Sequence, residues 1–206
     1  LTGGSATVRD VVDGGDGTDT VSITTATALT PYLTSIEVID ATVTGAVALN
    51  LTNATSLTNI DLETGADTGA TVTGLASGVE VDLLDADGFD TIDTVAGASL
   101  TIDIGIDHSG ITITDAVSVT VKTTSTADGG DDFTSLALDN TDTTSLTIQG
   151  GTDADADIKT GNVANSNVLE SLTVTSSTAG SIVTMRTLAD ADALTSITAT
   201  GSYGNI

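Results

Sequence analysis

Apolar and polar residues alternate in short stretches along the whole chain, and one short phrase returns at nearly regular intervals. Each copy begins with Ser or Gly and continues with the alternating pattern. The eight copies are SIEVID from Ser35, SLTNIDL from Ser56, GVEVDLL from Gly78, SLTIDI from Ser99, SVTV from Ser118, SLTI from Ser145, SLTV from Ser171 and SITA from Ser196. Their starts are separated by 21, 22, 21, 19, 27, 26 and 25 residues, a mean near 23. We interpret this as a structural repeat.

A period of two is typical of a β-strand with one buried face. The pairs predicted to share that face are Ile36 with Val38, Val79 with Val81, Leu100 with Ile102, Val117 with Val119, Leu146 with Ile148, and Leu172 with Val174. A unit of about 23 residues has the size of one coil of a solenoid and is too short for an independent domain. The open ends of such a stack need cover from neighbouring domains or other molecules.

The sequence therefore predicts an all-β fold, a parallel β-solenoid (β-helix) of about eight coils. A tandem pair of β-sandwich domains is the alternative, because regularly spaced short strands with turn signals suit that fold too. We expect an entry segment with the first strands at 1–34, the repeats at 35–206, and one continuous elongated domain over 1–206.

Composition supports this fold class. Thr makes up about a fifth of the chain, and strong helix formers such as Lys, Arg, Gln and Glu are scarce. With 2 Phe, 2 Tyr and no Trp, the core must be filled by aliphatic side chains. The absence of Cys excludes disulfides and thiolate chemistry. Because the chain begins at Leu1 without a signal-peptide pattern, we expect a processed product or a segment of a longer protein.

The charge balance excludes some partners. The chain carries 29 acidic and 4 basic residues, a formal net charge of -25. Nucleic-acid binding requires a basic surface that this chain lacks, and an anionic bilayer would repel it. No apolar run approaches the length of a membrane span, so we expect no direct membrane insertion. Of the acidic residues 25 are Asp and 4 are Glu. Short carboxylates suit tight turns and calcium coordination, although a solvated acidic surface is the alternative.

One segment matches a calcium-binding pattern. Residues 14–22 read GGDGTDTVS and fit the nonapeptide G-G-x-G-x-D-x-U-x, with Val21 at the apolar position. The glycines let successive carbonyl oxygens face an ion, and Asp19 adds a carboxylate. The predicted calcium ligands in this turn are Gly14, Gly15, Asp16, Thr18 and Asp19.

Three further acidic segments resemble the nonapeptide less closely. They read DGFDTID from Asp87, DGGDDFT from Asp128 and GGTDADADI from Gly150. We expect them at a similar corner of successive coils, where neighbouring carboxylates could share an ion. The alternative is that Asp and Gly only form the outer turns. The candidate ligands are Asp87, Asp90, Asp128, Asp131, Asp132, Asp153, Asp155 and Asp157.

The nonapeptide resembles the RTX-type calcium repeat. The wider chain is similar to the Thr-, Ala- and Asp-rich repeat regions of type I-secreted bacterial surface-layer proteins and related RTX adhesins. The resemblance implies a protein that is extracellular or on the bacterial cell surface, folds on meeting calcium and assembles into lattices or stalks. An RTX roll needs consecutive nonapeptides, and this chain has one full copy. Isolated calcium sites are therefore expected here.

These observations predict a structural, non-catalytic surface protein that is stabilised by Ca²⁺ and assembles with copies of itself, as a surface-layer or filament subunit. A stalk or ligand-binding segment of an adhesin, with a cell-surface glycan or protein as its ligand, is the alternative. A polysaccharide-active β-helix enzyme is a weaker one, because the basic residues are scattered among different repeats and aromatics are few. The lone His108 is predicted to lie in a surface turn.

Overall fold

The computed structural model describes residues 11–46, 48–64, 69–84, 89–105, 108–123, 131–138, 141–151, 158–176, 183–201 and 203–205; at 89, 131–134, 158–161 and 203–205 it describes the backbone only. The described residues contain strands and no helix, so no helical segment among them is long and apolar enough to cross a bilayer. The strands are β1 (Val11–Asp13), β2 (Thr20–Thr25), β3 (Tyr32–Thr34), β4 (Val38–Val43), β5 (Ala48–Asn50), β6 (Asn59–Thr64), β7 (Thr71–Leu75), β8 (Glu80–Leu83), β9 (Phe89–Ile104), β10 (Gly110–Lys122), β11 (Asp131–Ala137), β12 (Ser145–Gly150), β13 (Ile158–Ala164), β14 (Ser171–Ser176), β15 (Val183–Leu188), β16 (Ser196–Thr200) and β17 (Tyr203–Asn205).

The strands form two parallel ladders that run along the molecule. The first ladder contains, in order, β2, β4, β6, β8, the second half of β9, the second half of β10, β12, β14 and β16. The second ladder contains β5, β7, the first half of β9, the first half of β10, β11, β13, β15 and β17. A short parallel pair, β1 with β3, lies beside them.

This topology confirms the predicted parallel β-solenoid. Every described strand pair is parallel, whereas the sandwich alternative requires antiparallel sheets, so that alternative is wrong. The number of turns differs slightly from the prediction of eight. The described chain makes about seven turns of the solenoid. The first ladder begins at β2, inside the predicted entry segment 1–34.

The core consists of aliphatic columns, as the alternation predicts. One inward position of the first ladder is occupied on successive coils by Val21, Ile39, Ile60, Val81, Ile102, Val121, Ile148 and Val174. All are buried. Each aliphatic side chain buried in this way contributes roughly 1.5–3 kcal/mol. Because each residue packs on the same position of the coil above and below, the stack is the stabilising unit.

Backbone bulges make two of the predicted inward positions wrong. Val38 and Val117 are only partly buried, and the neighbouring residues Ile39 and Ala116 are buried instead. At Val117 the ladder has a register shift between Ala116 and Ser118. The amides of Glu37 and Val38 both donate to the carbonyl of Asp19, at 3.2 and 3.1 Å. Glu37 and Val38 therefore lie opposite the single residue Asp19. The extra residue moves the core-facing positions one residue further along the chain.

Corners connect the two ladders. Strands β9 and β10 each pass from the second ladder to the first without a break in strand structure, with register shifts at the bend. Gly97 in β9 and Asp115 in β10 adopt positive φ angles of 78° and 63° there. Positive φ suits Gly and is tolerated by Asp, which explains the choice of residues at these corners.

Candidate metal centre on the first ladder

A column of carboxylates lies on the outward face of the first ladder. Asp40, Asp61, Asp82 and Asp103 occupy the same outward position on four consecutive coils; we call them the acidic column. Ser22 precedes them in register. Neighbouring parallel strands lie about 4.8 Å apart, so like charges are held close together. Such a column requires neutralising partners.

Uncharged side-chain donors form hydrogen bonds with the carboxylates in the first half of the acidic column. Ser22 Oγ donates to Asp40 Oδ2 at 3.2 Å. The side-chain amide of Asn59 donates to Asp61 Oδ1 at 2.8 Å and to Asp82 Oδ2 at 3.2 Å, joining two consecutive coils. The other oxygen of Asp82, Oδ1, is buried and makes no hydrogen bond with any described residue.

The second half of the column forms an acidic triad. Glu80, Asp82 and Asp103 each offer a carboxylate oxygen, and these oxygens lie within 4.8 Å of one another. Asp103 is buried, while Glu80 and Asp82 are half-buried. Lys122, on the next coil, places its Nζ 2.8 Å from Glu80 Oε1 and 3.4 Å from Asp103 Oδ2. Three carboxylates thus face one ammonium group, leaving a net charge of two minus when all are ionised.

The environment shifts the protonation of this site. Burial raises the pKa of Asp82 from 3.8 to about 6, with further increases from the charges of Glu80 and Asp103, and the Asn59 hydrogen bond opposes them. Burial acts to lower the pKa of Lys122, but its contacts with Glu80 and Asp103 outweigh burial and raise it. The chain therefore holds a carboxylate that is costly to ionise without a further cation. The triad could hold a metal ion, because its donors are all hard oxygens and one of them is buried without a partner.

Asp82 should make the metal-free protein less stable as the pH rises. Because the folded pKa of about 6 exceeds the ordinary 3.8, the folded chain binds more protons between these values. Stability then falls as pH rises through this window, and the penalty is complete above about pH 6. With chelator near pH 7.5, Asp82→Asn should raise stability by on the order of 1 kcal/mol, after allowance for solvent screening of a half-exposed group. Thermal unfolding would show this as a few degrees, and the gain should shrink near pH 4.5. An equal gain at both pH values would contradict this assignment.

The predicted nonapeptide turn has defined geometry. Gly15 and Gly17 adopt positive φ angles of 83° and 125°, and a Cβ on Gly14 would collide with the carbonyl oxygen of Ser35. The amide of Asp19 donates to Glu37 Oε2 at 2.9 Å, and Asp19 Oδ2 is buried without a hydrogen-bond partner among the described residues. Asp16 and Thr18 are exposed. Calcium binding at this turn stays a prediction.

Asp90 lies in the interior of the solenoid. Its Oδ1 accepts a 2.5 Å hydrogen bond from the amide of Ala70, and its Oδ2 lies 3.0 Å from His108 Nε2. Both Asp90 and His108 are buried, at 1% and 3% exposure. The prediction that His108 lies in a surface turn is therefore wrong, because a carboxylate from the preceding coil gives the imidazole a buried partner. Asp90 thereby connects the coil before it to the coil after it.

The other predicted ligands have less structural description. Asp131 and Asp132 lie in β11, opposite Ile158 and Lys159 of β13, and only their backbone is described. Five predicted ligands lie outside the described residues: Asp87, Asp128, Asp153, Asp155 and Asp157.

The triad was not among the predicted ligands, although the sequence carries a signal for it. Every one of the first four repeat phrases contains an Asp shortly after its alternating start. When the phrases are aligned by their first residue, Asp40 and Asp61 fall one position later than Asp82 and Asp103. The reason is that a bulge residue precedes Asp61 and none precedes Asp82. Aligning the apolar positions instead would have placed all four in one column.

Comparison of the chain with known protein families, with functionally characterised proteins and with solved structures finds no match.

Proposed function

We propose that this protein is a structural, non-catalytic component of a bacterial cell surface, stabilised by calcium and assembling with copies of itself as a surface-layer or filament subunit. The observation that carries the calcium part is the acidic triad, in which the buried Oδ1 of Asp82 has no hydrogen-bond partner among the described residues. A cation at this position would contact two consecutive coils, because Asp82 and Asp103 are register partners on β8 and β9.

Calcium is the cation that suits these donors best. It takes 6–8 oxygen ligands in flexible geometry, and carboxylates can contribute one or two oxygens each. Magnesium demands a stricter octahedral arrangement and keeps much of its water. Glu80, Asp82 and Asp103 would hold the ion, with water completing its shell, and the ion would offset the repulsion along the acidic column. The resemblance of residues 14–22 to an RTX nonapeptide supports a second calcium site at Asp19.

The structural role rests on the repeat architecture and on the character of the surface. The described outer face of the first ladder presents mostly small polar side chains and carboxylates, with Lys122 and Gln149 as longer side chains. From β9 onwards, one outward position is occupied by threonines in register: Thr101, Thr120, Thr147 and Thr173. A face with regular spacing suits packing against identical neighbours. The resemblance to type I-secreted proteins supports secretion and a surface location.

Calcium should stabilise the folded chain more than magnesium does. We expect the melting temperature of chelated protein to rise on titration with CaCl₂, and light scattering to show ordered assembly, with MgCl₂ at equal ionic strength giving a much smaller effect. Saturating a site at about 100 times its dissociation constant contributes about 2.7 kcal/mol. The calcium effect should be reduced in Asp103→Asn, which removes one triad charge at a buried position. Equal effects of both ions would mean that the carboxylates form only a solvated acidic surface. A calcium-stabilised monomer that never assembles would instead favour a stalk segment.

A further inference from the structure

Asn59 lies beside the acidic triad, on the coil that precedes it, and is the register partner of Glu80. Its outward position belongs to a column in which other strands of the first ladder carry threonine, at Thr20 and Thr101. Threonine suits a strand, whereas asparagine is depleted there. Strand propensity therefore does not explain the asparagine, and such local exceptions are expected where a residue serves a site.

The side-chain amide of Asn59 contacts carboxylates on two different coils. Its Nδ2 donates to Asp61 Oδ1 at 2.8 Å and to Asp82 Oδ2 at 3.2 Å. An ionised carboxylate only accepts hydrogen bonds, so these contacts fix which end of the amide faces the acidic column. The hydroxyl of threonine has a single hydrogen to donate and cannot serve both carboxylates. The asparagine therefore makes a bridge that the residue found elsewhere in its column cannot make.

This bridge determines which oxygen of Asp82 remains for an ion. Asn59 holds Oδ2, whereas Oδ1 is buried and has no hydrogen-bond partner among the described residues. Because a carboxylate is planar and rigid, holding one oxygen also restricts the position of the other. Asn59 Oδ1 is likewise buried without a described partner. An unpaired buried oxygen is costly, so the two carboxylate contacts outweigh that cost and maintain this orientation of the amide.

A carboxylate held in this way is a better metal ligand than a freely rotating one. Groups that hydrogen-bond to a ligand orient it before the ion arrives, and this orientation contributes to the affinity for the metal. The side chain then loses less rotational freedom on binding. Asn59 stands in this relation to Asp82, whose carboxylate lies with those of Glu80 and Asp103 in the triad.

We propose that Asn59 is the positioning residue of the calcium centre, which orients Asp82 for the ion and connects the centre to Asp61 on the preceding coil. This inference rests on the proposed calcium function of the triad. The ion holds β8 and β9 directly, through Asp82 and Asp103, and holds β6 through Asn59. One ion thereby stabilises the contacts among three consecutive coils.

Calorimetric titration of the variant Asn59→Thr with CaCl₂ tests the proposal. Threonine is the residue that this column carries at Thr20 and Thr101, so the variant should fold. We expect its calcium affinity to fall on the order of tenfold or more, because loss of a residue that orients a metal ligand typically costs 10–100-fold. The melting temperature in chelator, measured on the same samples, verifies that the variant is folded.

Asn50→Thr is the matched control. Asn50 lies on β5 of the second ladder, away from the triad, and its Oδ1 accepts hydrogen bonds from the amide and the hydroxyl of Thr52 at 3.0 and 2.7 Å. The same substitution there also removes contacts of an asparagine side chain. It should lower the melting temperature slightly and leave the calcium affinity unchanged.

Hydrogen exchange at saturating calcium separates positioning from a general loss of stability. In the natural chain, calcium should slow exchange of the backbone amides of β6, β8 and the second half of β9. In Asn59→Thr the slowing should persist in β8 and β9 and be lost in β6. Unchanged calcium affinity in Asn59→Thr, or equal weakening in both variants, would overturn the role of Asn59 and leave the triad as the calcium centre. A natural chain that binds no calcium would overturn both.

Discussion

Replacing Asp90 with Ala should destabilise the protein strongly, more than the loss of any of its half-buried carboxylates. The substitution leaves the Ala70 amide without its acceptor and removes the carboxylate 3.0 Å from the buried His108. Removing one partner of a buried charged pair lowers the free energy of unfolding by about 3–5 kcal/mol. In a chain of this size that corresponds to roughly 10 °C in melting temperature, measurable by circular dichroism.

A neighbouring carboxylate provides the control for this result. Asp93 lies on the same strand, is half-buried, and accepts a 2.7 Å hydrogen bond from Thr114 Oγ. Asp93→Ala should cost about 1 kcal/mol or less, since solvent can replace the lost bond. Asp90→Ala should also keep the calcium-induced rise in melting temperature. A lost calcium response combined with a small loss of stability would instead support Asp90 as a calcium ligand.

Replacing Lys122 with Met should destabilise the protein less than the loss of Asp90, and the effect should depend on calcium. Lys122 contacts Glu80 and Asp103, so its removal takes away the ammonium group that faces the three carboxylates of the triad. In chelator we expect a loss on the order of 2 kcal/mol, because the Asp103 carboxylate is buried. With calcium, the ion replaces the ammonium group, and most of the loss should be recovered.

Calorimetric titration would give the corresponding affinities. Lys122→Met should bind calcium more tightly than the natural chain, because the ion no longer competes with a positive charge. Arg186→Met removes the same charge at an exposed position and is the matched control. If both variants changed calcium affinity equally, the effect would come from net charge alone, and the triad would lose its assignment as the metal centre.

The fold could be predicted because its two signals are local. Alternation of apolar and polar residues identifies strands, and the recurrence of Ser-Leu-Thr phrases identifies the repeat. From Ser99 onwards the predicted phrase starts are register partners in the structure, as in Ser99 with Ser118 and Ser118 with Ser145. The antiparallel alternative fails because a repeat that stacks on itself in one direction can form only parallel pairs.

The type of candidate site, carboxylates shared between coils, could be predicted from the sequence, but the residues of the triad could not. Excess Asp indicated carboxylates shared between coils, and the triad on the strands of the first ladder is such a set. The sites predicted at the corners stay predictions. The bulge at Glu37 and Val38 depends on hydrogen bonds between coils, which local sequence does not reveal. The burial of His108 likewise depends on Asp90, 18 positions earlier, and adjacency in sequence gave no indication of that contact.

The ladder also determines the height of the described stack. Coils differ in length, since 18 positions separate Ser22 from its partner Asp40 and 27 separate Lys122 from Gln149, yet each advances the stack by one strand spacing of about 4.8 Å. The nine described strands of the first ladder therefore span about 40 Å, whereas residues 20–200 fully extended would cover about 600 Å. The height of the stack depends on the number of coils and does not change when residues are inserted between strands. In the proposed assembly, the connecting segments could therefore lengthen without changing the spacing between copies of the chain.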